Sequence, residues 1–264
     1  METKRTILFT LLLILLCGVA CSPETGQLDV YANGEDFVRD GFLSKDGWQI
    51  SFDDLQLNLE NVTVYQTDPP FNAASGDDPS GSSTVVADAF VASLVQADGS
   101  PRTLVAQVDV PVGHYNAIGW RMINGTDGVT VRMVGSAEKQ TTRIQFDIEI
   151  SETYRYVCGE YVGDSRKGFV TADSPADVEM TFHVDHVFGD GTADPEESLN
   201  VGALGFDPLA ALATDSTLSV TQADLEAGLS SADYATLLDT LATLGHVGEG
   251  HCFEAQNGYT DKSG

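Results

Sequence analysis

Apolar and polar residues alternate with a period of two in one segment after another between residues 28 and 190. Arg143–Ile150 shows the pattern clearly, because every second residue of R-I-Q-F-D-I-E-I is apolar. Period two is the spacing of a half-buried β-strand, whose successive side chains point to opposite faces. Turns rich in Gly and Asp separate the segments, and no helical segment alternates with them. The pattern predicts a mainly β chain and favours an antiparallel β-sandwich of immunoglobulin-like or transthyretin-like type.

Two local features refine this expectation. The apolar phase of Leu55, Leu57 and Leu59 slips by one residue before Val62 and Val64, which predicts a β-bulge near Glu60–Asn61. Further along, the turn residues of Asn124–Gly128 predict a hairpin between strands at Trp120–Ile123 and Val129–Val134.

After Asp190 the alternating strand pattern gives way to helix signals. Asp207-Pro208 is typical of a helix start. Ser231 is predicted to cap a further helix with an apolar face, and Gly245 to terminate it. We therefore predict a β-sandwich domain at residues 28–190. A helical and loop extension at residues 191–264 packs on the sandwich and is closed by one disulfide.

The N-terminus has the pattern of an export signal. Lys4 and Arg5 precede the apolar segment Ile7–Leu16, and Gly18-Val19-Ala20-Cys21 resembles the cleavage site of bacterial lipoproteins. We predict a lipoprotein signal peptide at residues 1–20, lipidation of Cys21 and a lipidated tether at residues 21–27. The expected location is the periplasm or the cell surface, with the membrane contacted through the lipid anchor. Lipoproteins usually have Leu where this chain has Gly18, so an ordinary signal peptide cut near Cys21 is the alternative.

The strongly acidic balance limits the classes of partner. The chain carries 40 Asp and Glu against 13 Lys and Arg, a formal net charge of −27. Such a surface repels the phosphates of nucleic acid and suits cations. The alternative is that the charge only keeps an exported protein soluble or reflects a saline habitat.

Two cysteines remain in the mature chain if Cys21 carries lipid. Outside the cytoplasm, Cys158 and Cys252 most simply form a disulfide. A thiolate metal site is the alternative, but the chain lacks the Cys-x-x-Cys spacing of such sites.

Four of the five histidines lie in two short segments, Val178–Asp190 and His246–His251. Clustered imidazoles with nearby carboxylates are the usual ligands of Zn²⁺ or Cu²⁺ in exported proteins. Calcium is the weaker candidate, because the acidic loop after Gly189 lacks the EF-hand spacing. The candidate ligands are His183, His186, His246 and His251, with Asp185, Glu160 and Glu249, and also Asp190, as ligands or orienting carboxylates.

The spacing of His183 and His186 imposes a geometric condition. Residues three apart on a strand face opposite sides, so these two imidazoles share a metal only if the strand ends or bends at Asp185–His186. Otherwise they are structural histidines that hydrogen-bond neighbouring strands and loops. His114 follows a separate turn, where we expect a structural role, and Trp120 is expected in the core.

Two motifs resemble known families. The segment V-P-V-G-H-Y-N-A-I-G-W at Val110–Trp120 resembles a turn of secreted bacterial β-sandwich lipoproteins of uncharacterised function. Together with T-F-H-V-D-H-V-F-G at Thr181–Gly189, it loosely resembles the methanobactin-associated copper-binding periplasmic protein family. The resemblance covers about residues 48–188 and implies a metal-related role. Residue by residue, only His183 carries over, as a histidine on a late strand.

These observations lead to two hypotheses about function. The first is an envelope lipoprotein that binds a divalent transition metal, Zn or Cu, for capture, delivery or sensing beside a metal transporter or another envelope protein. The second is a structural or interaction module of the envelope whose histidines are structural. The sequence contains no recognised catalytic motif, so we expect a protein that is not an enzyme, with a hydrolase or other metal-dependent enzyme as the weaker third alternative.

Overall fold

A computed structural model describes the chain from residue 23 to residue 256. The predicted signal peptide and the predicted lipidation site Cys21 lie outside the described residues. The described chain is mainly β, as predicted. Its strands are β1 Thr25–Asn33, β2 Phe42–Leu43, β3 Gln49–Thr67, β4 Gly81–Ser93, β5 Thr103–Pro111, β6 Gly113–His114, β7 Ala117–Met122, β8 Val131–Lys139, β9 Thr142–Ile150, β10 Tyr154–Cys158, β11 Phe169–Val170, β12 Ala176–Phe182, β13 Thr217–Thr221, β14 Gly245–Val247 and β15 Gly250–Gln256.

The helices of the described chain are short. They are α1 Glu35–Asp40, α2 Asp185–Phe188, α3 Ser198–Gly202, α4 Asp207–Ala210, α5 Gln222–Gly228 and α6 Ser231–Ala242, with a 3-10 turn at Ala73–Ser75. Across residues 23–256, none of them has both the length and the apolar character to cross a membrane.

Thirteen strands form one curled mixed sheet. Its main path is β13-β9-β8-β3-β7-β10-β15-β14-β12-β1-β5, while β2 and β4 pair with β3, and β6 and β11 form a separate small sheet. Two pairs in the main sheet, β1 with β12 and β9 with β13, are parallel. The expectation of purely antiparallel pairing is therefore wrong, and a sandwich is not confirmed. Each parallel pair joins segments far apart in the chain, which leaves room for the long crossover that parallel strands need.

Strand β3 is the spine of this sheet. It is 19 residues long and pairs with β8 along its first half and β7 along its second. The predicted bulge is confirmed, because the β3–β7 register shifts between Glu60 and Thr63 and Asn61 has a φ of 52°. The predicted hairpin between β7 and β8 is wrong. The two strands do not pair with each other, because the long β3 offers each of them a different stretch of the same edge.

Aromatic side chains fill the core beside the late strands. Trp120 is buried, as predicted, and stacks on Tyr156 with ring centroids 5.2 Å apart. Phe182, the last residue of β12, meets the same indole at 5.8 Å. The Tyr156 hydroxyl donates to the carbonyl of Leu241 at 3.1 Å and so fixes the end of α6 against β10. This packing sets the position of the segment that follows α6.

The segment after Asp190 contributes both helices and strands. The cap of α6 is Ser230 and not the predicted Ser231, since the Ser230 side chain accepts a hydrogen bond from the backbone of Asp233. The apolar face of the helix is confirmed by the burial of Leu237 and Leu241. The helix ends at Ala242 with Thr243 as its C-cap, so the predicted end at Gly245 is wrong. Gly245 instead begins β14, two residues after the cap, because the chain turns there into the sheet. Strands β13, β14 and β15 then join the main sheet.

Candidate metal centre

Strand β12 ends at Phe182, and the chain turns at His183. The His183 backbone N–H donates to the carbonyl of Leu244 at 2.9 Å, and the His186 N–H donates to the carbonyl of His183 at 3.2 Å. Helix α2 then begins at Asp185. The turn removes the strand alternation that would separate the two imidazoles. Their ring centroids lie 5.4 Å apart, so the geometric condition set by the sequence is met.

The β14–β15 hairpin supplies the other two imidazoles. His246 and His251 are directly opposite in the hairpin, with ring centroids 4.9 Å apart. Strand β14 also pairs with β12, which places His246 opposite Thr181. As a result the His246 ring lies 4.5 Å from that of His183 and 5.0 Å from that of His186.

Gly248 at the hairpin turn allows this close approach. It has a φ of +60°, and a Cβ atom there would lie 2.1 Å from the carbonyl oxygen of Val162. Its backbone N–H donates to the Thr181 hydroxyl at 2.9 Å, which ties the turn to β12. A side chain at position 248 would therefore clash with Val162 and displace the hairpin turn.

The predicted disulfide is confirmed. Cys158 and Cys252 are bonded and lie opposite each other in the β10–β15 pair. His251 directly precedes Cys252, so the bond fastens the second histidine segment to the sheet.

Two carboxylates approach His183. Asp185 Oδ1 lies 3.7 Å and Glu35 Oε2 lies 4.0 Å from His183 Nδ1. The ligand atoms of His183, Asp185 and His186 all lie within 4.8 Å of one another. The exposed Glu249 is close enough for its charge to raise the pKa of both Asp185 and Glu35. Sequence reasoning missed Glu35, because nothing in its neighbourhood along the chain indicates that α1 faces the end of β12.

Two candidate carboxylates do not join the cluster. Glu160 pairs with Arg166 at 2.6 Å and faces His114 at 3.6 Å, and His114 itself stacks on Phe169. The Asp190 carboxylate accepts hydrogen bonds from the backbone and hydroxyl of Thr192. His114 thus lies apart from the other four histidines, as the sequence indicated.

Hydrogen bonds fix the protonation of His186. The Thr243 hydroxyl donates its single proton to the carbonyl of Thr240 at 3.0 Å. In that orientation it accepts from His186 Nδ1, which lies 2.9 Å away. Nδ1 carries the proton, and Nε2 presents the lone pair that a metal needs.

His183 turns its Nδ1 towards the carboxylates. Its Nε2 lies 3.3 Å from the carbonyl of Gly248, which only accepts, so Nε2 carries a proton. Nδ1 then faces the oxygens of Asp185 and Glu35, with acceptors on both sides. The buried side-chain atoms without a hydrogen-bond partner in the described chain include Asp185 Oδ1 and His246 Nδ1 in the cluster, and His114 Nε2 and Trp120 Nε1 outside it. The carboxylates around His183 are satisfied either by a bound cation or by a proton on His183 Nδ1.

Burial keeps the inner imidazoles neutral. It lowers the pKa of His246 to about 3 and that of His186 to about 4, and the charge of His183 acts in the same direction on both. Burial likewise raises the pKa of Asp185 and of Glu35, although the charge of His183 opposes this rise. At neutral pH His186 and His246 therefore hold free lone pairs without first losing a proton.

The cluster is reached from two cavities. One of about 640 Å³ is lined by His246 and His251 together with Phe71 and Phe253, and one of about 370 Å³ is lined by His186 and His251 together with Asp239. His251 is exposed and borders both cavities, whereas His183, Asp185 and His246 are buried. The inner ligands are thus shielded from water, while the outer one is accessible.

The described geometry contains a His183–Asp185–His186 group with the ligand types and spacing to hold a metal ion. Comparisons of the chain with models of protein families, with curated proteins and with solved structures find no match. The resemblance to copper-binding periplasmic proteins therefore stays a prediction, and the chemistry of the site depends on the chain's own geometry.

Proposed function

We propose that this protein is an exported lipoprotein that binds a divalent transition metal, Zn²⁺ or Cu²⁺, through the histidine and carboxylate cluster. One observation carries the proposal: four imidazoles from two distant segments converge beside a buried carboxylate, and two buried polar atoms of the cluster, Asp185 Oδ1 and His246 Nδ1, lack hydrogen-bond partners. Buried polar atoms in proteins are nearly always paired, so unpaired ones at a single place call for an explanation. A bound cation provides it.

The ring spacing supports a shared ion. A zinc–nitrogen bond is about 2.1 Å and the ring centre lies about 1.1 Å further out, so two imidazoles on one tetrahedral ion have centroids about 5.2 Å apart. The measured separations among His183, His186 and His246 are 4.5, 5.0 and 5.4 Å. His251, beside His246 and exposed, is placed to take up or release the ion.

The location adds to the argument. The proposed export signal and Cys21 would tether the protein to a membrane, where a cell captures or senses metal outside the cytoplasm. An acidic surface also favours the local concentration of cations. In this setting the protein would capture metal, deliver it to a transporter or another envelope protein, or report its level.

The test uses the soluble chain of residues 22–264, freed of metal and then titrated with Zn²⁺ and with Cu²⁺. We expect about one ion per chain by elemental analysis and an increase in melting temperature on the order of 5 °C or more at saturating metal. His183→Ala should abolish the increase, whereas His114→Ala, which removes the histidine outside the cluster, should retain it. Equal responses of the two variants, or no response of the wild type, would contradict the proposal.

The second candidate function is an interaction module of the envelope with structural histidines. The hydrogen bonds of His183 to Gly248 and of His186 to Thr243 favour it, because each gives an imidazole a structural partner. This function predicts that neither metal changes the melting temperature. It also predicts that the histidine substitutions change only stability.

A further inference from the structure

We infer that Glu35 is a second carboxylate ligand of the metal centre, and that the pair Glu35 and Asp185 makes the site select a divalent ion over Cu⁺. The inference rests on the proposed function. It adds one ligand to the site and a preference for divalent ions over Cu⁺. It follows from the distances, the burial and the charges around His183.

The distances around His183 Nδ1 are the first argument. Its separations of 3.7 Å from Asp185 Oδ1 and 4.0 Å from Glu35 Oε2 are too long for hydrogen bonds. Two ligands at about 2.1 Å from one ion lie about 3.0 Å apart at a right angle and at most about 4.2 Å apart in line. On a tetrahedral ion the separation is about 3.4 Å, so Asp185 and Glu35 would each move about 0.3 to 0.6 Å closer to His183 Nδ1 as the ion binds. Glu35 lies just outside the group of His183, Asp185 and His186, whose ligand atoms are all within 4.8 Å of one another.

The placement of Glu35 is the second argument. Its backbone has a φ of 58°, in the left-handed region, and its N–H donates to the Asn33 side chain at 2.8 Å. This conformation begins α1 and directs the carboxylate of Glu35 to the end of β12. Its neighbour Asp36 is instead exposed and pairs with Arg39. The two adjacent acidic residues therefore have different surroundings, which makes Asp36 a matched control.

The charge balance is the third argument. A divalent ion beside two carboxylates gives a neutral group, whereas Cu⁺ beside the same pair leaves one negative charge in a largely buried place, which is unfavourable. The donor types agree with this preference. Cu⁺ is selected by thiolate and thioether ligands, whereas the donors of this group are imidazole nitrogens and a carboxylate oxygen, and the sulfur of Cys252 next to His251 is held in the disulfide.

The first experiment compares the wild type, Glu35→Gln and Asp36→Asn in the chain of residues 22–264. We expect Glu35→Gln to weaken Zn²⁺ and Cu²⁺ binding by 10-fold or more, on the order of what carboxylates at metal centres contribute. The electron paramagnetic resonance spectrum of bound Cu²⁺ should also change to one typical of copper with more nitrogen ligands and fewer oxygen ligands. Asp36→Asn should match the wild type in metal affinity and in the spectrum. An unchanged affinity and spectrum in Glu35→Gln would overturn the assignment of Glu35.

The second experiment needs only the wild type, so it holds even if a variant fails to fold. Competition with a Cu⁺-specific chelator in ascorbate, which keeps copper as Cu⁺ and leaves the Cys158–Cys252 disulfide intact, gives the Cu⁺ affinity. Competition with a Cu²⁺ chelator in air gives the Cu²⁺ affinity. We expect Cu²⁺ to bind at least 10-fold more tightly. Equal or tighter Cu⁺ binding would overturn the preference for divalent ions but not the metal site itself. If neither Zn²⁺ nor copper binds, the proposed function itself fails.

Discussion

His246 lies directly opposite His251 in the β14–β15 hairpin, and their ring centroids are 4.9 Å apart although only His246 is buried. The hairpin thus carries a buried imidazole, that of His246, opposite an exposed one, that of His251. His246 also contacts the rings of His183 and His186, whereas His251 reaches solvent through both cavities. The two residues therefore have different consequences when substituted.

Replacement of the inner imidazole should separate metal binding from stability. His246→Leu removes a buried Nδ1 that has no hydrogen-bond partner, so we expect the metal-free protein to gain about 1 kcal/mol in free energy of unfolding. The same variant should lose the metal-dependent increase in melting temperature. Denaturant unfolding with and without Zn²⁺ measures both effects.

The control is His251→Leu, which changes an exposed ring of the same hairpin. It should alter the stability of the metal-free protein little and weaken metal binding less than His246→Leu does. A loss of more than 1 kcal/mol in metal-free His246→Leu would show that the imidazole makes a stabilising contact of its own.

Thr243 should act on the metal through His186. Thr243→Val removes the hydroxyl that accepts from His186 Nδ1, so the ring loses the partner that holds it in the metal-binding tautomer. We expect metal affinity to fall by about 10-fold to 100-fold, as for other residues that orient metal ligands. Thr243→Ser keeps the hydroxyl and should bind as the wild type does. Isothermal titration of the two variants measures the difference, and equal affinities would mean that the hydroxyl does not position the ring.

The parts of the fold that depend on neighbouring residues could be predicted from the sequence. The alternation in Arg143–Ile150 gave β9, and the phase slip gave the irregularity at Asn61. The disulfide followed from the count of cysteines. The hairpin between β7 and β8 was predicted wrongly, because turn residues report on the local turn and not on the competing edge of β3.

The candidate site was predictable only in half of its parts. The clustering of histidines indicated the two segments, and the strand end after Phe182 was the stated condition for joining His183 to His186. Glu35 and Thr243 could not be predicted, because their contacts with the cluster depend on how α1 and the end of α6 pack against β12. Such long-range packing leaves no periodic signal in either segment.

The disulfide should hold the hairpin as well as the fold. Cys158 and Cys252 are 94 residues apart, and a loop of that length is worth about 4–5 kcal/mol in the chain-entropy model. We expect a Cys158→Ser and Cys252→Ser double variant to lose up to that much in free energy of unfolding. It should also bind metal more weakly, because His251 adjoins the lost bond. Denaturant unfolding and metal titration test this, and wild-type affinity would show that pairing with β12 alone positions the hairpin.

The two inner histidines should make the metal-free protein lose stability in acid. The folded-state pKa is about 3 for His246 and about 4 for His186, both below the ordinary value of 6.5. Below pH 6.5 the unfolded chain takes up protons at these positions while the folded chain does not. Stability is therefore full above pH 6.5 and falls as the pH drops towards each folded pKa. For one such group the loss by pH 4 is about 3 kcal/mol.

The carboxyls of Asp185 and Glu35 act in the opposite direction. Burial raises their folded-state pKa above 3.8 and 4.5, so their contribution is present in acid and is lost as the pH rises. The histidine effect is therefore isolated by comparing variants over pH 4 to 6.5. His246→Leu should lose less stability across this window than the wild type, whereas His114→Ala controls for a histidine removed elsewhere. Parallel curves for His246→Leu and the wild type would mean that burial does not hold His246 neutral.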